Sequence, residues 1–162
     1  MDTPVPLFAR QIRALSACLA KAEAHCAERR IDPAVLAGFR LFPDMLPLSA
    51  QVMIGTDHAK GMAARLTGTE NPRFEDVEKT FPELRDRLAR CLAYIEGFPP
   101  EAFAGAEARE VVIATRRGEL RFTGAEYLAN WAIPNFFFHA TTAYDILRHN
   151  GVPLGKADFL GG

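Results

Sequence analysis

No stretch of this chain holds the ~20 uninterrupted apolar residues that a membrane-spanning helix needs. The opening segment from Met1 to Arg13 also lacks the continuous apolar run of a secretory leader. A cytoplasmic protein without membrane association is the expectation. Cysteine is scarce: Cys18, Cys26 and Cys91 are odd in number and have no C-x-x-C spacing. That pattern argues against a disulfide framework or a cysteine zinc site and predicts reduced thiols in a helical core. Neither sign of charge dominates, the formal net charge being −1. The Arg116-Arg117 pair is too short to be the basic footprint of a nucleic-acid binder. Internal repeats, low-complexity tracts, His-x-x-x-His and Glu-x-x-His pairs are all missing.

What is present is a full apolar complement, 49% of 162 residues, enough for one folded domain spanning 1–162. Leu7, Phe8, Ile12, Leu15, Leu19, Ala22 and Cys26 recur at helical spacing and predict a first helix from Pro6 to about Arg30. Asp32-Pro33 ends it and opens a short helical turn through Val35 and Leu36. After a connector, Asp44 reads as the N-cap of a long second helix with Leu48, Val52, Gly55, Ala59, Met62, Ala63 and Leu66 on its buried stripe, stopping near Gly68. Asn71 to Lys79 reads as a polar loop, and Thr80 with Glu83 as a capping box for a third helix running to about Gly97. The period then changes: Val111 to Ala114, a turn near Arg117-Gly118, and Leu120 to Thr123 predict a β-hairpin. A last helical region, interrupted at Pro134, ends where Gly151 and Pro153 follow Asn150. Four long helices with one hairpin between the third and the last make a mainly α bundle.

Polar residues on buried faces mark where chemistry could sit. In the last helix, Asn135 and His139 lie one turn apart and share a face with Thr142, Ala143 and Ile146. A buried amide or imidazole without a partner costs roughly 1–3 kcal/mol, so the pair marks either a polar core network or a ligand site. His139 reads equally as a satisfied core histidine or as a ligand or proton-transfer residue, the candidate catalytic group of the chain. On the second helix, Gln51 falls about 60° from the stripe centre at Leu48, with Asp44 and His58 on the same flank at spacings of seven. The three could line a cleft between helices. They could equally be a cap, a bundle hydrogen bonder and a boundary residue, the simpler reading for Asp44 and His58. Asp57 and Lys60 point away from the stripe and read as solvated. His149 suits the negative end of the last helix, and the Phe136–Phe138 run with Trp131 reads as core, extended by a partner subunit.

Three segments carry a resemblance: Arg40 to Val52, Ala59 to Leu66, and Pro134 to Val152. Together they resemble the bacterial "domain of unknown function nineteen ninety-three" family, similar in turn to the DinB/YfiT-like superfamily of four-helix bundles. The resemblance implies a DinB-like fold over nearly the whole chain. Many superfamily members are metal-dependent transferases or hydrolases acting with low-molecular-weight thiols, their metal held by three histidines. It places those metal positions at Gln51, Asn135 and His139, with Leu147-Arg148 matching the superfamily's Leu-Arg pair and Gly151 its closing glycine. Two imidazoles are therefore replaced by amides, and neutral carbonyls make a poor divalent site. No cofactor is expected, a divalent metal entering only through the superfamily. The leading reading is a bundle whose former metal centre is a metal-free polar pocket, formed by Gln51, Asn135, His139, Asp44 and His58, that binds a small molecule or is purely structural. The alternatives are a metal- or thiol-dependent transferase or hydrolase, and a homodimeric interaction module.

Overall fold

The structure, a computed structural model, describes residues 2–115 and 117–162; Met1 and Arg116, the first of the arginine pair, lie outside the described residues. Four long helices build the bundle: α1 (Val5–Arg29), α3 (Leu48–Thr67), α4 (Phe81–Glu96) and α6 (Ile133–His149). The short α2 (Pro33–Ala37) follows α1, capped by Asp32, whose carboxylate accepts from the Ala34 N–H at 2.9 Å. The predicted capping box is present, with Thr80 Oγ1 accepting from the Glu83 N–H and Glu83 accepting from the Thr80 N–H at 2.9 Å. Local chemistry of this kind sets where α4 starts and how it enters the bundle.

Helix α3 packs between α6 on one side and α4 on the other, while α1 closes the bundle against α4 and α6. Leu48, Val52, Ala59, Met62, Ala63 and Leu66 of α3 are buried, as are Leu84, Leu88, Cys91 and Ile95 of α4. Phe8 of α1 meets Phe136 of α6 with ring centroids 4.6 Å apart. Each fully buried Leu or Phe contributes about 1.5–3 kcal/mol, which makes this contiguous core the main source of stability. The three cysteines are buried free thiols, and burial pushes Cys91 up to about 12.

The hairpin is β1 (Glu110–Thr115) paired antiparallel with β2 (Gly118–Thr123), in register from Glu110↔Thr123 to Thr115↔Gly118. It packs through Val111, Ile113 and Phe122, the last touching Tyr127 and Trp131. Two strands are marginal alone, so these contacts hold the hairpin.

Four expectations are corrected. Helix α3 begins a turn later than Asp44 implies. Its N-cap is Pro47, with extended backbone, and the Leu48 N–H bonds to Phe39 O at 2.9 Å. Asp44 is exposed in the preceding loop. Pro134 does not interrupt the last helix: α5 (Gly124–Tyr127) runs through a π-helical turn, Leu128–Ala132, straight into α6. A π turn tolerates the missing proline N–H because its own bonding is already displaced by one residue. Lys60 and Asp57 are not simply solvated; Lys60 is 5% exposed and pairs with Asp57 at 3.1 Å. The Phe136–Phe138 run is not core throughout, because Phe138 is 57% exposed. A further short helix, α7 (Lys156–Leu160), folds back on α1, with Lys21 paired to Asp158.

Candidate functional site

The antiparallel α3 and α6 bring Gln51 and His139 together. Gln51 is buried and donates its amide N–H to Leu46 O at 3.1 Å. A carbonyl can only accept, so this bond sets the amide's orientation and turns Oε1 toward His139, whose Nδ1 lies 2.7 Å away. Nδ1 must therefore carry the proton and donate. His139 is held as the Nδ1–H tautomer, with Nε2 as its lone-pair nitrogen, and no described residue bonds to Nε2. Burial lowers the His139 pKa and keeps that lone pair available at neutral pH.

His58 joins the pair, two turns along α3 from Gln51. Its ring stacks on His139 at a centroid distance of 5.6 Å and an interplanar angle of 16°. Burial, with His139 and the Arg65 cation adding to it, pushes His58 down to about 4. Two neutral imidazoles thus lie face to face on a half-buried surface between α3 and α6.

The other two sequence candidates do not enter this arrangement. Asn135 is half-buried, but its Nδ2 donates to Trp131 O at 2.8 Å, a carbonyl of the π turn, so its amide serves the backbone four residues before it. Asp44 is exposed, and no described residue bonds or ion-pairs with it.

The three-histidine metal set implied by the resemblance does not fit the residues present. Both ends of the Gln51 amide and the Asn135 NH₂ are engaged, which leaves His139 Nε2 as the one free strong donor among the three. Among the described residues no group of three or more His, Cys, Asp or Glu side chains is placed to hold a metal ion. His139, even with His58 beside it, falls short of the three or four strong ligands of a tight divalent site.

A second polar cluster, outside the sequence expectations, lies on the α4 side of α3. Arg87 is fully buried and pairs with Glu78, Asp57 and Asp76, each at 3.0 Å. It also donates to Thr56 Oγ1 at 2.7 Å and Glu75 O at 2.8 Å. Glu78 reaches on to Arg90, and Phe74 lies under Lys60, Arg87 and Arg90. The signal was legible. Arg87 sits between Leu84 and Cys91 on the stripe of α4, at the same angular offset, about 60°, that marks Gln51 on α3.

A profile of the family described as "Domain of unknown function (DUF1993)" matches residues 1–160. The chain belongs to this family. The crystal structure of a DinB family member protein from Shewanella denitrificans is 43% identical to it, with a TM-score of 0.90 over 98% of this chain and 89% of that chain. No curated protein matches the chain. A DUF1993 member with a DinB-like bundle is what the sequence resemblance implied. Among the described residues no helix is long and apolar enough to cross a membrane.

Proposed function

We propose that the half-buried surface between α3 and α6 is a small-molecule binding site that works without a metal, with His139 Nε2 as the group that meets the ligand. One observation carries this reading: the 2.7 Å bond between Gln51 and His139 fixes the tautomer and leaves a lone pair on a half-buried ring. A fully buried imidazole needs a partner at both nitrogens, whereas the half-buried His139 leaves Nε2 without one among the described residues. Gln51 supports the reading as a positioning residue, since its other end is tied to Leu46. His58 supplies an apolar stacking face and, with its pKa near 4, stays neutral beside the ligand at physiological pH.

The test uses isotopically labelled chain purified without added metal, with the ring C–H signals of His139 and His149 followed as Zn²⁺ or acetamide is added. Acetamide offers an N–H donor to Nε2. The expected result is well under one equivalent of retained Zn, Ni or Fe, no stoichiometric Zn²⁺ binding, and an acetamide response at His139 but not His149. Stoichiometric metal on His139, or an acetamide titration that leaves His139 unmoved, overturns the reading.

A further inference from the structure

The row that Gln51 and His58 begin on α3 does not stop at His58. Seven residues on comes Arg65, within about 20° of His58 around the helix and also half-buried. Its charge is handled differently from the other sheltered cations of the bundle. Arg87 has three carboxylates and Lys60 has Asp57. Arg109, also half-buried, donates to Leu66 O at the negative end of α3. Arg65 has only the phenol of Tyr127, its Nη1 donating to the hydroxyl at 3.2 Å with the guanidinium 5.8 Å from the ring centre. Tyr127 is completely buried, and burial raises its pKa, so it stays a neutral phenol. No carboxylate of a described residue neutralises Arg65.

The guanidinium has been given room. Its Nη1 lies against Gly61, where an added Cβ would fall 2.3 Å away. An arginine offers five N–H donors in a planar fork, and one of those on Arg65 has a protein acceptor. His58 precedes Arg65 by two turns on the same flank of α3, and the His58 ring stacks on His139. A half-buried cation with unused donors, on one helix flank with a neutral imidazole and with no carboxylate partner among the described residues, is complementary to an anionic head group.

We propose that Arg65, His58 and His139 form an oxyanion site. The ligand is a small molecule bearing a carboxylate or a phosphate group, which pairs with the Arg65 fork, and an adjacent N–H or O–H donor that reaches His139 Nε2. The inference rests on the reading of the half-buried α3–α6 surface as a binding site and adds the chemical class of what it takes. His58 sits between the two contact points and packs on the part of the ligand that joins them.

The experiment titrates inorganic phosphate, acetate and neutral acetamide into the labelled full chain, following the Arg65 Nε–H signal and the His58 and His139 rings. Phosphate and acetate should shift Arg65 and His58. R65Q should weaken that binding about tenfold or more, as expected for loss of a charge-assisted pair. R65K, which keeps the charge without the fork, should weaken it less, and R109Q not at all. A larger response to phosphate assigns phosphate esters, and a larger response to acetate assigns carboxylates. Anion binding that is equal in R65Q, or lost equally in R109Q, sinks the proposal. Acetamide acting on His139 while neither anion moves Arg65 also sinks it but leaves the binding-site reading standing, whereas failure of all three probes removes both.

Discussion

On its α4 side, helix α3 carries a cluster of formal charges in which each buried member is answered: the fully buried Arg87 meets three carboxylates, and Glu78 meets two arginines. On its α6 side lie neutral groups, the buried Gln51 amide and two half-buried imidazoles, His58 of α3 and His139 of α6, with Nε2 of His139 left over. The first cluster is closed and the second is incomplete. A closed ionic network holds neighbouring elements in one arrangement, here tying the 70–79 loop to α3 and α4, and has no valence left for a ligand. The incomplete cluster is weaker as a brace. Its leftover lone pair and the uncompensated Arg65 nearby are what a ligand could use.

If the α4-side cluster is the brace, breaking it should be the most damaging single change in the bundle. Arg87→Ala removes the shared partner of Glu78, Asp57 and Asp76 and leaves Glu78, a buried carboxylate, with Arg90 and the Val77 N–H. The expected loss is about 3–5 kcal/mol in denaturant unfolding, the usual cost of orphaning a buried charge. A loss under about 1 kcal/mol would mean that the network is no brace, and the contrast between the two flanks would collapse.

Acid should find the other flank. His58 has a folded-state pKa of about 4 against 6.5 for the free side chain, so between those values the unfolded chain binds the extra proton. Stability is therefore full above about pH 6.5, falls as the pH drops toward 4, and loses on the order of 3 kcal/mol in all. His58→Phe keeps a ring against His139 but cannot titrate. Its stability should be flatter than that of the native chain across this window, read from urea midpoints at several pH values. Parallel curves for the two proteins would show that His58 is not the group being charged.

The parts of this contrast that could be read beforehand are those written in local chemistry. Thr80 and Glu83 cap α4 because hydroxyl and carboxylate sit three residues apart, and the hairpin announces itself by alternation. Asp44 looked equally good as a cap, but Pro47 and the Leu48–Phe39 backbone bond start the helix beyond its reach. Gln51 and His139 could be paired because each lies on a buried flank and the resemblance aligns them. Asn135 shares the flank of His139, yet the π turn, which no periodicity signals, captures its amide. Asp57 and Lys60 read as solvated because they lie off the apolar stripe of their helix, and beyond its place on the flank of the α4 stripe nothing in its immediate sequence marks Arg87 as buried. A helix enclosed on two sides has little solvent face, and the loop that folds back to supply Phe74, Asp76 and Glu78 is a tertiary event invisible to a helical wheel.

The smallest effect sharpens the contrast most, because it asks whether the Gln51–His139 bond is a brace at all. Gln51→Leu keeps most of the side-chain volume but strands the Nδ1 proton of a half-buried imidazole, and should cost about 1–3 kcal/mol. In a His139→Leu background there is no proton to strand, so the same substitution should cost clearly less, the two apolar chains replacing both partners at once. The difference between the two costs is the coupling of the pair, expected at about 0.5–3 kcal/mol, and His149→Ala at the exposed end of α6 sets the baseline at a few tenths. Zero coupling would show that the two side chains do not meet in solution, which removes the fixed tautomer and with it the free Nε2. Coupling near 1 kcal/mol is the size expected of one neutral hydrogen bond, and far below the Arg87 effect it would identify a bond whose main consequence is to aim an imidazole rather than to hold two helices together.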